Sequence, residues 1–312
     1  MFDKKKEHIM ISTIDRKRIF IFVAIAYGIS IALGLALYFN GGVIGSSPFD
    51  LTRLAFALMA GLMFAPLVAN IVTRLVTREG WSNTLLRPNF RRGWRFYLAA
   101  WFLPVLATIL GGVIYFLLFP SRFDLSMTSM REMGAIPKDM NAGMYLIVQV
   151  GSILAVAAPL NLLVGFGEEF GWRAYLLQKL MPLGSRKAVL LVGVIHAVWH
   201  YPFIFMGYEY GLSYWGAPVV GPLIYVVFVL CLSAFLAWLT LRSGSVWPAA
   251  LGHGVINASA LLRRAFVEGD PHWLIGPQPM GIVGGLGYAL LALLIFFSAR
   301  ALAPTASPQP GR

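Results

Sequence analysis

The sequence predicts an all-α protein that crosses a membrane about eight times, and three observations lead to this fold class. Of the 312 residues, 58% are hydrophobic and only 12% are charged, against about 25% charged in an ordinary soluble domain. The mean hydropathy is +0.73. The apolar residues are concentrated in long runs, and Lys and Arg collect between alternate runs. So few polar residues cannot cover a soluble surface, which excludes one or two soluble domains.

Eight apolar runs have the length of a membrane span. A hydrocarbon core about 30 Å thick needs roughly 20 mostly apolar residues in a helix. In chain order, the runs span residues 19–39, 54–72, 96–119, 144–166, 188–206, 218–241, 246–262 and 281–299. The first follows basic residues, as the core of a signal peptide would, but it is too long for such a core and no clear cleavage site follows before Asn40. We expect it to be a retained helix.

The distribution of basic residues predicts the orientation. If the N-terminus is inside, about three quarters of the 25 Lys and Arg residues lie on the inner side, as the positive-inside rule requires. An even number of spans then places both termini in the cytoplasm. The net charge of +12 is thus mostly a consequence of topology, and no nucleic-acid partner is expected. We expect a multi-pass integral protein of the plasma (cytoplasmic) membrane of a bacterium. The single cysteine, Cys231, excludes an intrachain disulfide.

The predicted organisation has five parts. They are a basic cytoplasmic tail (1–18), the first three membrane helices with their loops (19–143), a core with helices four to seven (144–262), the last membrane helix (263–303) and a disordered tail (304–312). No internal repeat is visible, so the sequence lacks the inverted repeat that is typical of many transporters.

Most acidic residues lie in tails or loops, but a few polar residues lie in or beside apolar runs. Seven residues on three of the runs form this group: Glu168, Glu169 and Arg173, then His196 and His200, then His253 and Asn257. An ionisable side chain inside a span costs several kcal/mol, so such residues are candidates for function. Their occurrence on three separate runs is the main indication of a buried site.

Helical spacing predicts how these residues are used. Glu169 and Arg173 are one turn apart and can form an ion pair. Glu168 is rotated by about 100° from Glu169 and can face another way, free for chemistry. Glu168 reaches the depth of the histidines only if the fourth helix continues to about Lys179, and Pro159 can kink so long a helix. We expect this continuation, and with it a water-accessible cavity in the cytoplasmic half of the membrane.

The same residues form three motifs on separate predicted helices. Glu-Glu-x-x-x-Arg occupies residues 168–173, His-x-x-x-His occupies 196–200 and His-x-x-x-Asn occupies 253–257. In this order they resemble the CAAX-protease and bacteriocin-processing membrane proteases, also called the CPBP or Abi family. The second motif departs from the family pattern, since His196 stands where the family usually has Phe. The resemblance covers roughly a third of the chain, about residues 161–261.

The resemblance implies an eight-helix intramembrane endopeptidase that opens to the cytosol. Residues 144–262 would be its protease core. Its substrate would be a membrane-associated peptide, such as a prenylated CAAX-type tail or a leader peptide, and its partners membrane lipid and a peptide or lipidated protein. The implied roles differ by residue: Glu168 activates water, Glu169 and Arg173 support it, and His200, His253 and Asn257 position the water and stabilise the oxyanion.

The cofactor stays open between none and a single divalent metal ion such as Zn. A bound metal would have Glu168, His200 and His253 as ligands, a His₂Glu set common in zinc hydrolases. His196 adds a second histidine one turn before His200, and its role is open between packing and ligation.

Two other functions use the same buried polar residues. The protein could be a proton-coupled transporter that uses Glu168 and the histidines as a relay. It could also be a non-catalytic immunity or scaffold protein. The substitution Glu168→Gln separates these functions, because only a protease loses peptide-bond cleavage while it still folds and inserts.

Overall fold

The computed structural model describes residues 14–42, 53–132, 134–137, 139–259, 262, 264–269 and 272–303. Within these ranges the chain is helical and forms no strand, apart from an isolated bridge between Phe123 and Val267. The predicted all-α class is confirmed. Most of the predicted basic tail, residues 1–13, and the whole predicted disordered tail, 304–312, lie outside the described residues.

The described ranges contain thirteen α-helices, and every predicted apolar run contains at least part of one. The helices are α1 Arg16–Phe39, α2 Arg53–Leu62, α3 Ala65–Thr77, α4 Phe90–Leu118, α5 Thr128–Glu132, α6 Ala142–Ser152, α7 Ala158–Gly171, α8 Leu177–Leu180, α9 Ser185–Trp199, α10 Tyr201–Ile204, α11 Val220–Ser243, α12 Trp247–Ser259 and α13 Leu286–Phe297.

Five helical stretches of the described chain are long and apolar enough to cross a membrane. They are Arg16–Phe39, Arg53–Thr77, Phe90–Leu118, Ala142–Leu183 and Val220–Ser243. The protein is therefore a multi-pass integral membrane protein. Helices α9, α12 and α13 have 15, 13 and 12 residues, fewer than the roughly 20 that a full span needs. The count of eight spans and the cytoplasmic position of both termini stay predictions.

The predicted continuation of the fourth helix is confirmed. Residues Ala142–Leu183 form one helical stretch of 42 residues, which contains α6, α7 and α8 and is interrupted by π turns at Ile153–Ala157 and Trp172–Leu176. Pro159 lies in the first turn of α7, directly after the first π turn. A proline cannot donate to the carbonyl four residues earlier, and the wider turn accommodates it at this point.

Helices α7 and α12 touch backbone to backbone. A Cβ atom on Gly165 would lie 2.5 Å from the carbonyl oxygen of Ala250, and one on Gly254 would lie 2.9 Å from the carbonyl carbon of Asn161. Neither distance leaves room for a side chain, so glycine is required at both positions. This close approach brings the end of α7 next to the middle of α12.

The end of α9 is attached to α1 by three hydrogen bonds. The hydroxyl of Ser30 donates to the carbonyl of Trp199 over 2.6 Å, and the indole Nε1 of Trp199 donates to the carbonyl of Ala26 over 3.1 Å. One turn earlier, the hydroxyl of Tyr27 donates to the carbonyl of Ile195 over 2.7 Å. These side-chain hydrogen bonds add to the mostly apolar contact between the two helices and fix the position of the last turn of α9.

The glycine contact predicts an unequal effect of two alanine substitutions on the same long helix. Gly165→Ala should lower the free energy of unfolding by about 1–3 kcal/mol, because the new methyl group overlaps the carbonyl of Ala250. Gly151→Ala is the control: its Cβ would meet nothing within 4 Å, and alanine is the better helix former by up to about 1 kcal/mol. Thermal unfolding in detergent measures both. Equal melting temperatures for the two variants would contradict the contact.

Candidate active site

Glu168 is a buried carboxylate that one histidine holds directly. Its side chain is 1% exposed, and its Oε2 lies 2.7 Å from Nε2 of His196. On the other side of the imidazole ring, Nη1 of Arg173 lies 3.5 Å from Nδ1 of His196. A guanidinium can only donate, so Nδ1 accepts and Nε2 carries the proton. His196 is therefore a neutral donor to Glu168.

Glu169 accepts two hydrogen bonds, and its donors differ from that of Glu168. Its Oε1 accepts from Nη1 of Arg173 over 3.0 Å and from Nδ1 of His253 over 2.7 Å. Glu169 and Arg173 are both fully buried, and they form the ion pair that their spacing predicts. A carboxylate can only accept, so Nδ1 of His253 carries a proton. Nε2 of His253 then faces Glu168, 3.9 Å from its Oε1.

His200 and Asn257 complete the polar group from two other positions. His200 is the residue that ends α9, and its ring centroid lies 5.3 Å from that of His196. Ligating atoms of Glu168, His196 and His200 lie within 4.8 Å of one another. Asn257 lies one turn after His253 on α12 and is exposed to the same cavity.

These side chains line a cavity of about 350 Å³ inside the helical bundle. Of the six predicted site residues, it brings together Glu168, His200, His253 and Asn257. Glu169 and Arg173 are absent from its wall, and they act on it through His253 and His196. The rest of the lining is mostly apolar, with Phe56, Met59, Phe203, Phe228, Val229 and Met280 among its members. The arrangement is a compact polar cluster on one part of the wall of an apolar cavity.

Two residues of this cavity were missed or left open by the sequence. His196, open between packing and ligation, contacts the Glu168 carboxylate, and its position one turn before His200 was the available signal. Glu209 was missed because it lies in a loop, where acids are usually solvated. It is only 6% exposed, lines the same cavity, and its Oε2 has no hydrogen-bond partner among the described residues. Burial raises the pKa of Glu209 to about 8, against a hydrogen bond from Tyr208 that lowers it.

The donor set that the structure draws together does not fit a metal ion. It contains His196 in place of the predicted His253. A histidine that binds a metal usually donates its other ring N–H to a carboxylate or carbonyl. His253 meets this requirement through Glu169. If Nε2 of His196 bound a metal, its proton would move to Nδ1 and face the guanidinium of Arg173, donor against donor.

Comparison with known proteins finds a family match over the segment that carries these residues. Residues 150–259 match the family described as Type II CAAX prenyl endopeptidase Rce1-like. The predicted family resemblance is confirmed. The matched segment runs from α6 to the end of α12 and includes all three motifs. A curated relative, CAAX prenyl protease 2 of Methanococcus maripaludis, is 30% identical over 100 residues. The alignment covers 31% of this chain and 37% of that protein, so the chain matches little more than a third of the relative's length.

The buried ion pair predicts a large effect on stability from the loss of one partner. Arg173→Met should lower the free energy of unfolding by about 3–5 kcal/mol, because it leaves the Glu169 charge buried without its cation. The added change Glu169→Gln removes that charge and should recover part of the loss.

Thermal or denaturant unfolding in detergent measures the two variants, with Arg242→Met as the control. Arg242 is half-buried near the end of α11 and donates one solvent-exposed hydrogen bond to the carbonyl of Arg300, so its loss should cost no more than about 0.5 kcal/mol. A double variant as unstable as Arg173→Met alone would show that the ion pair is not the source of the effect.

Proposed function

We propose that the protein is an intramembrane endopeptidase that hydrolyses a peptide bond of a membrane-associated peptide in the cytoplasmic half of the bilayer. One observation carries the proposal: one oxygen of the buried Glu168 carboxylate is held by His196, and the other faces Nε2 of His253 at 3.9 Å. This pair lies in a cavity within the segment that matches an endopeptidase family. In this proposal, residues 144–262 are the protease core, and 19–143 and 263–303 enclose it.

The nucleophile is a water molecule between Glu168 and His253. Two hydrogen bonds of about 2.8 Å that meet near a right angle span a separation of 3.9 Å, so one water reaches both atoms. The water donates one proton to the carboxylate and the other to the unprotonated Nε2, which directs its lone pairs at the substrate carbonyl. Glu168 acts as general base and takes the proton as the oxygen attacks.

The oxyanion is stabilised by side chains other than the pair that holds the water. Addition of hydroxide to the carbonyl carbon places negative charge on the carbonyl oxygen, and preorganised donors in a dry cavity stabilise that charge strongly. The amide of Asn257 and a ring N–H of His200 line the cavity beside Glu168. We assign them this role, since neither has another acceptor to satisfy among the hydrogen bonds of the described side chains.

Collapse of the tetrahedral intermediate needs a proton on the leaving amine. Glu168 holds the proton that it took from water and returns it to the amine nitrogen, so the C–N bond breaks to a carboxylic acid and a free amine with Glu168 regenerated. Glu169 keeps Nδ1 of His253 protonated through both steps. Arg173 fixes Glu169 and His196 together.

The substrate class follows from the walls of the cavity and from the relative. The apolar lining favours a peptide with apolar residues around the cleaved bond, delivered from the membrane. The name of the relative, CAAX prenyl protease 2, favours a prenylated CAAX-type tail over a leader peptide. We place the activity in the plasma (cytoplasmic) membrane, with lipid and a lipidated protein or peptide as partners.

The general base predicts a collapse of cleavage in Glu168→Gln. The amide cannot take a proton from water, so kcat should fall by about 10²–10⁴ while folding and insertion persist. Cleavage of a farnesylated CAAX-type peptide in proteoliposomes, followed by mass spectrometry, measures the loss. Glu132→Gln, at an exposed site on α5, is the control and should cleave normally. Solute uptake that depends on Glu168, without any cleavage, would instead identify a carrier.

The contact between His196 and Glu168 predicts how two variants of His196 differ. Phenylalanine, the usual residue of the family, removes the donor, and kcat should fall about 10–100-fold with little change in KM. The side-chain amide in the variant His196→Gln keeps an N–H near the position of Nε2, so this variant should recover much of the rate.

Wild-type activity in His196→Phe would make His196 a packing residue. An inactive His196→Gln beside an active His196→Asp would instead indicate a metal ligand. Either result would contradict the role of His196 as a neutral donor. The same peptide assay therefore distinguishes a neutral donor, a packing residue and a metal ligand.

A further inference from the structure

The cavity contains a second carboxyl group that the proposed mechanism does not use. Glu209 lines the wall together with Tyr208. It is more than nine-tenths buried, and its Oε2 has no hydrogen-bond partner among the described residues. A buried carboxyl oxygen without a hydrogen-bond partner costs free energy. Its presence at a cavity wall therefore indicates that a bound ligand supplies the missing partner.

The loop that carries Glu209 is built to hold it in place. Glu209 has φ +74°, in the left-handed region that residues other than glycine rarely adopt. Glycines flank it on both sides: the amide of Gly207 donates to the carbonyl of Ile204 over 2.9 Å, and that of Gly211 donates to Gly207 over 2.8 Å. The next residue, Tyr210, donates from its hydroxyl to the carbonyl of Met280 over 2.8 Å. Backbone strain that the surroundings hold in this way is characteristic of functional sites.

Burial favours the neutral form of Glu209. Tyr208 donates a hydrogen bond to it, and Tyr210 and Tyr225 interact with its charge. The other titratable groups that line the same cavity are Glu168, His196, His200 and His253. Burial raises the pKa of Glu209 to about 8. At neutral pH the group therefore presents an O–H, which can donate one hydrogen bond into the cavity.

We propose that protonated Glu209 is a specificity-determining residue that donates a hydrogen bond to an acceptor oxygen of the bound peptide. The acceptor is a backbone carbonyl or the terminal carboxylate. Apolar side chains of the peptide lie against Phe228, Val229 and Met280 in the same cavity. The inference rests on the proposed function and extends it, because it gives the peptide a second polar contact apart from Glu168.

The sign of the pH dependence follows from the protonated form. As pH rises through about 8, Glu209 ionises, loses its only donor and repels the acceptor oxygen, so kcat/KM should fall on the alkaline side. Glu209→Gln keeps an N–H donor that does not titrate, so this part of the alkaline loss should disappear. Tyr208→Phe removes a hydrogen bond that favours the ionised form, so it should move the loss to higher pH.

The test compares these variants with Glu209→Leu, which has neither donor nor charge. The probe is a quenched-fluorescent farnesylated peptide with a CAAX terminus, cleaved in proteoliposomes between about pH 6 and about pH 9.5. Near pH 7, Glu209→Leu should raise KM about tenfold with kcat unchanged, and Glu209→Gln should stay near wild type. A second probe with a C-terminal amide identifies the acceptor: loss of the Glu209 dependence indicates the carboxylate, and its retention indicates a backbone carbonyl.

The inference is overturned if Glu209→Gln keeps the wild-type alkaline profile, or if Glu209→Leu binds the probe as well as wild type does. A purely structural role would change the melting temperature of the variants and leave the pH profile in place. Glu168→Gln in the same assay separates the two hypotheses. Absence of Glu168-dependent cleavage in wild type defeats the proposed function, whereas normal cleavage with no effect of Glu209 defeats only this inference.

Discussion

A single buried guanidinium determines what the other polar groups of the cavity can do. Arg173 can only donate, and it donates from Nη1 to Glu169 and to Nδ1 of His196. The contact with Glu169 neutralises one of the two adjacent acids. Without it, two neighbouring carboxylates would be buried with no cation, which would cost too much free energy. The second contact sets the tautomer of His196 and so makes it a donor to Glu168. Glu169 in turn sets the tautomer of His253. The protonation pattern of both imidazoles thus follows from one cation that never lines the cavity.

The position of these polar groups depends on helix contacts that leave no space for a side chain between the backbones. The 42-residue stretch from α6 to α8 carries both acids and Arg173, and the π turn at Trp172–Leu176 begins three residues after Glu169 and contains Arg173. Such turns are frequent at functional sites, because they change the direction of side chains within a helix. The glycine contacts of α7 with α12 then bring Glu168 to His253, and the attachment of α9 to α1 holds the histidines of α9 in position. The chemistry therefore depends on backbone approach as much as on the polar residues themselves.

The sequence predicted what lies within one helix better than what lies between helices. The pair Glu169–Arg173 follows from helical spacing alone and is present, and Glu168 contacts a different partner, His196. The choice between His196 and His200 as the partner of Glu168 depends on the rotation of α9 against α7, which no single-helix pattern encodes. Glu209 was out of reach, because its burial comes from a loop with a left-handed residue and from packing against a distant segment. The count of eight spans stays a prediction for a related reason, since α9, α12 and α13 are shorter than the apolar runs that they overlap.

The cavity provides its two carboxyl groups with opposite surroundings. Glu168 has a donor on one oxygen and an imidazole nitrogen facing the other, an arrangement that suits a group that must accept a proton from water. Glu209 is buried, and its Oε2 has no hydrogen-bond partner among the described residues. Burial outweighs the hydrogen bond from Tyr208, so the group keeps its proton and can donate it in a hydrogen bond. Two identical side chains can serve as acceptor and donor in one pocket only if their partners differ in this way. A peptide that spans both would meet a base at its cleaved bond and an acid at a remote oxygen, so binding energy gained at Glu209 can position the carbonyl at Glu168.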